Sequence, residues 1–102
     1  MTNGEVWNLC LDDRKAKLEE LKKELDQLEI DYSKANFEED MYARLKESSG
    51  SQYHPTFAEK HDESMKNVDA LEEKKKKLQT DIKIIEREID YIEEKIRLGS
   101  KK

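Results

Sequence analysis

From Val68 to Ile96 one pattern repeats: Val68, Leu71, Leu78, Ile82, Ile85, Ile89, Ile92 and Ile96 recur at alternating steps of three and four, broken only at Lys75. An α-helix returns to the same face at this spacing. These residues therefore form one narrow apolar seam, with 68, 75, 82, 89 and 96 at heptad position a and 71, 78, 85 and 92 at d. Such a seam must be covered by another helix, and the first half of the chain offers one. Leu11, Leu18, Leu21, Leu25, Leu28, Tyr32, Ala35 and Tyr42 keep the same rhythm, with Trp7 at a further d position and Arg14 and Glu39 as interruptions. Charged residues make up 44% of the chain and hydrophobic ones 34%, which suits long helices with a buried stripe better than a broad globular core.

Between the two arrays, Ser48-Ser49-Gly50-Ser51-Gln52-Tyr53-His54-Pro55 mixes helix breakers with small polar residues and reads as a loop. Thr56-Phe57-Ala58-Glu59 then fits a capping box, in which the Thr hydroxyl and the Glu carboxylate satisfy amides at a helix start. The expected organisation is a single helical hairpin domain over residues 1–102, with helix 1 at about 4–47, a loop at 48–55 and helix 2 at about 56–98. Gly99 is placed to act as a left-handed C-cap, with Lys101 and Lys102 on the favourable side of the helix dipole. If residue 47 lies opposite 56, Leu11 faces Ile92, Leu18 faces Ile85, Leu21 faces Ile82, Leu25 faces Leu78 and Tyr32 faces Leu71. Each a position on one helix then meets a d position on the other. The fold class that follows is all-α, an antiparallel two-helix coiled-coil hairpin.

Several function classes are disfavoured. A net charge of −5 argues against a protein that reads a nucleic-acid backbone. The single Cys10 forms no intramolecular disulfide framework and has no metal-type spacing around it. The segment MTNGEVWNLCLDD lacks a basic n-region and a long apolar stretch, so it is not expected to be a signal peptide, and no stretch is apolar enough to span a membrane. A cytoplasmic setting is the expectation. His54 and His61 read as a surface histidine and a seam-edge histidine rather than metal ligands. Glu38-Glu39-Asp40 and Lys74-Lys75-Lys76-Lys77 are splayed around a helix and read as solvated surface. No phosphate loop, nucleophile motif or cofactor signature is present, so the chain is expected to be no enzyme, with no cofactor and no small-molecule substrate.

The surplus apolar residues carry more information. Ile84, Tyr91 and Leu98 recur every seven residues at position c, outside the seam, and Leu9, Ala16, Ile30 and Phe37 recur at f on the other helix. One facing helix cannot cover so wide an apolar arc. Ile at both a and d also favours assemblies of more than two helices, at least in parallel coiled coils. The hairpin is therefore expected to complete a three- or four-helix bundle, by oligomerisation or by binding a partner protein. Candidate partner-binding residues are Ile84, Tyr91 and Leu98, and near the turn Phe37, Met41, Tyr53 and Phe57. With Leu45 and Met65, the latter group reads first as an apolar plug and second as a docking site.

In size and outline such a hairpin is similar to the small secreted Trp-x-Gly hairpins of type VII secretion and to the partner proteins of its substrates. It departs from them at the motif: SSGSQYHP contains no Trp-x-Gly, and Trp7 lies at the opposite end of the hairpin. Flagellar and type III export chaperones share the outline alone. The function expected is a non-enzymatic interaction module, such as an adaptor, assembly subunit or export-chaperone-like helper. The alternatives are a self-associating scaffold or a small acidic inhibitor of a larger machine.

Overall fold

The computed structural model describes residues 2–48 and 50–99, with side chains described for 2–48 and 56–99. Two α-helices account for nearly all of them: α1 (Asn3–Ser48) and α2 (Gly50–Gly99). They pack antiparallel as a hairpin, and their contacts gather into two compact units. One comprises Met1–Leu25 with Lys77–Lys102 and holds the chain ends; the other is Asp26–Lys76 and holds the turn.

α1 begins where a capping device stands. Thr2 Oγ1 accepts a hydrogen bond from the Glu5 amide at 3.2 Å, and the Thr2 carbonyl accepts one from the Val6 amide. A Thr followed three residues later by Glu at a helix entrance is a capping signature, and it lies at residue 2 rather than residue 56. α2 departs from expectation at both ends. Gly50 to Pro55 are its first turns, so the expected loop at 48–55 is largely helical and Thr56 lies inside the helix rather than capping it. A cap preference of about 1 kcal/mol is small beside the gain from extending two helices that already pack on each other. Gly99 closes α2 in right-handed helical geometry, without the left-handed φ expected of a C-cap.

In the unit holding the chain ends, Leu21, Ile82, Ile89 and Ile92 are buried, and Leu11, Leu18, Leu25, Leu78, Ile85 and Ile96 are half-buried along the same seam. Leu21 and Ile82, paired by the heptad register, are the buried residues on their respective helices at that layer. Arg14, which interrupts the apolar rhythm, sends its Nε to Glu88 Oε2 at 3.4 Å, with both side chains about 40% exposed. Its stem covers the seam while the charge stays wet. Lys17 pairs with Glu20 along its own helix.

The unit holding the turn has a different interior. Ala35 and Ser64 are its buried side chains, and Leu28, Tyr32, Val68 and Leu71 are half-buried. Lys75, the break in the α2 heptad, lies with its Nζ 5.3 Å from the Tyr32 ring centroid, a cation–π contact that gives a seam lysine a specific partner. Glu39 Oε1 lies 3.1 Å from His61 Nε2. Ser64 donates its hydroxyl to the His61 carbonyl at 2.8 Å, so its own helix satisfies the one buried polar side chain of the described residues. Lys60 stands over the Tyr42 ring at 5.7 Å.

Candidate protein-interaction surface

The stripe on α2 starts from a periodicity of seven, which holds side chains on one line of a helix while the seam occupies another. Ile84, Tyr91 and Leu98 are exposed by 52%, 54% and 49%, values far above those of the seam isoleucines beside them. They are not scattered. Ile84 borders a shallow groove shared with Leu21 and Ile85 and flanked by Lys17 and Asp81. Tyr91 meets Trp7 edge to face, with ring centroids 6.2 Å apart and planes at 69°, and carries Lys95 Nζ at 5.3 Å from its centroid. The contact of Trp7 with Tyr91 ties the centre of the stripe to the hairpin. Tyr91 is thereby an aromatic side chain packed on one side by Trp7 with about half its surface open, the character of an interface anchor.

The group near the turn separates. Phe37 is 81% exposed and Met41 and Met65 are exposed as well, so these three are not part of an apolar plug. Phe37 sits at f, opposite the seam, where α2 cannot reach it. Phe57 and Leu45 are half-buried. Phe57 belongs to the seam: counted back from Val68, Phe57, His61 and Ser64 continue the a/d rhythm. The Tyr53 side chain lies outside the described residues. Of the candidates, Ile84, Tyr91 and Leu98 lie along one exposed line of α2, Phe37 and Met41 are exposed one turn apart on α1, and Phe57 is half-buried.

In the sequence Glu39 reads as an interruption of the seam and His61 as a seam-edge histidine, but their pairing across it is not legible, nor is the bond of Ser64 to its own helix. His61, Ser64 and Glu39 occupy heptad positions, and extending the α2 register back by one heptad from Val68 and Leu71 reaches the first two. The charge runs resolve as expected of a helix surface: Lys76 pairs with Glu72 at 3.8 Å and Arg44 with Asp40 at 3.1 Å, each one turn apart, while Lys75 turns to the seam. Among the described residues no group of three His, Cys, Asp or Glu side chains is arranged to hold a metal ion, and no helix is long and apolar enough to cross a membrane.

The fold and surface define an all-α helical hairpin with an open apolar face. No protein-family model, curated protein or solved structure matches the chain.

Proposed function

We propose that this chain is a non-enzymatic coiled-coil interaction module, an adaptor, assembly subunit or export-chaperone-like helper, that binds partner helices through its apolar stripe in a cytoplasmic setting. The observation that carries this reading is the line Ile84, Tyr91 and Leu98, about half exposed on one face of α2 with Tyr91 braced by Trp7. Completing the burial of three such side chains contributes on the order of 2–4 kcal/mol, about half the value for fully exposed ones. That is enough to bias association once positioning is favourable, and too little to hold a partner alone.

The test is Ile84→Glu combined with Tyr91→Glu. Far-UV circular dichroism should keep its helical signal, because neither residue is in the buried seam, while association measured by light scattering or pull-down is lost. Unfolding of the double variant would return the stripe to the hairpin's own core. Retained helix and retained association would place the interaction surface elsewhere, with exposed Phe37 and Met41 the next residues to change.

A further inference from the structure

The stripe is symmetric about its centre: Ile84 and Leu98 stand seven residues either side of Tyr91. Helical geometry sets Arg87 and Glu94 along one border of this line, three residues beyond Ile84 and Tyr91. Glu88 and Lys95 lie along the other border, four residues beyond the same two. Arg87, Glu94 and Lys95 are exposed, and Glu88 is half-buried.

We infer that the occupant of this face is a second copy of the chain, with α2 packed antiparallel on its copy about a two-fold axis at Tyr91. The inference rests on reading the stripe as an interaction surface and names its partner. In that arrangement Ile84 meets Leu98 of the copy at each end, and the two Tyr91 rings meet in the middle. A two-fold axis of this kind sets each border against the same border of the copy. Arg87 then lies beside Glu94 of the copy, twice, and Glu88 beside Lys95 of the copy, twice. Each charge on the rim of the stripe thus faces its opposite, a self-complementarity that an unrelated partner does not require. Of the rim charges, Glu94 reaches Arg97 only at 4.0 Å, Lys95 rests on the Tyr91 ring that would sit at the axis, and Glu88, paired with Arg14 at 3.4 Å within the chain, would be shared with Lys95 of the copy.

A parallel pair would also bring opposite charges together, Arg87 with Glu88 and Glu94 with Lys95. It would, however, hold two helix C-termini side by side, each carrying about half a negative charge. The antiparallel pair separates them. Three half-exposed side chains per copy make a contact below the usual size of a permanent interface, so the dimer is a weak, reversible one.

Charge reversal tests partner and orientation together. Sedimentation equilibrium of the full chain should show a monomer–dimer equilibrium. Arg87→Glu alone, or Glu94→Arg alone, should weaken it by about tenfold, because two attractive pairs become repulsive. The double variant Arg87→Glu/Glu94→Arg should restore the wild-type constant. In a parallel pair the double variant would be worse than either single change, and that result overturns the proposed geometry. A wild-type chain that stays monomeric across the concentration range overturns the second copy as occupant. The broader interaction reading would outlive that result if a partner protein is bound and Ile84→Glu/Tyr91→Glu abolishes the binding. It would fall too if no partner depends on the stripe.

Discussion

The two units are built from the same two helices and differ in what fills the seam. Where the chain ends meet, Leu21, Ile82, Ile89 and Ile92 are buried in an aliphatic interior. Beside the turn, the buried positions are Ala35 and Ser64, and Lys75, Glu39 and His61 occupy places where aliphatic residues would be expected. A coiled-coil seam has two tasks: to hold the helices together and to hold them in one register. Aliphatic layers serve the first well and the second poorly, since one leucine layer resembles the next. Polar layers with a named partner serve the second at some cost to the first. In this hairpin adhesion is concentrated at the chain ends, where Arg14 against Glu88 adds a polar match, and specificity is concentrated beside the turn.

The division is most directly broken by cavities. Ile89→Ala or Ile92→Ala should lower stability by about 2–4 kcal/mol, whereas Val68→Ala, at a half-buried position in the other unit, should lower it by about 1 kcal/mol. Thermal unfolding followed by circular dichroism measures both, and equal losses would show that the units contribute alike. Next in size is Lys75→Leu. Losing the contact with Tyr32 costs about 0.5–1 kcal/mol, which burying a leucine should outweigh. The melting temperature should rise while the distribution of oligomers broadens, because a restriction on register has gone. A fall in melting temperature would mean that the lysine–tyrosine contact exceeds the apolar gain. The smallest effect is expected of Glu39→Ala, which removes a hydrogen bond to a mostly covered His61 and should cost about 0.5–1 kcal/mol, with Glu39→Gln recovering part of it. No loss in Glu39→Ala would mark the pair as incidental and leave Lys75 as the specifying residue of its unit.

The same contrast explains what was legible in the sequence. The aliphatic heptads from Leu11 to Leu28 and from Val68 to Ile96 identify the two helices and the face each one buries without further help, because an apolar stripe must be covered by another helix. The Ile84, Tyr91, Leu98 line was equally plain, being a second period of seven beside the first. The turn was not. Ser48 to Pro55 carries every local signal of a loop, yet α2 begins at Gly50, since packing between long helices outweighs residue-by-residue preference. Nor were the partners of Glu39 and Lys75 legible. Polar seam residues announce themselves only as gaps in a pattern, and what fills the gap depends on side-chain reach across the seam. Tyr91 shows the remaining blind spot: its position was readable, but not that Trp7 would brace it.

Arg14 against Glu88, Lys75 over Tyr32 and Glu39 beside His61 also bear on how the length of this hairpin can vary. Each is a one-to-one match, and a relative shift of the helices by a single heptad would break any of them even where the aliphatic layers re-formed. A few residues inserted in one helix would also rotate everything beyond them off the seam. Tolerated changes of length are therefore quantised: seven residues added to one helix must be answered by seven on the other, at the same layer. Substitution can be gradual in a protein of this design, but growth must come in matched blocks.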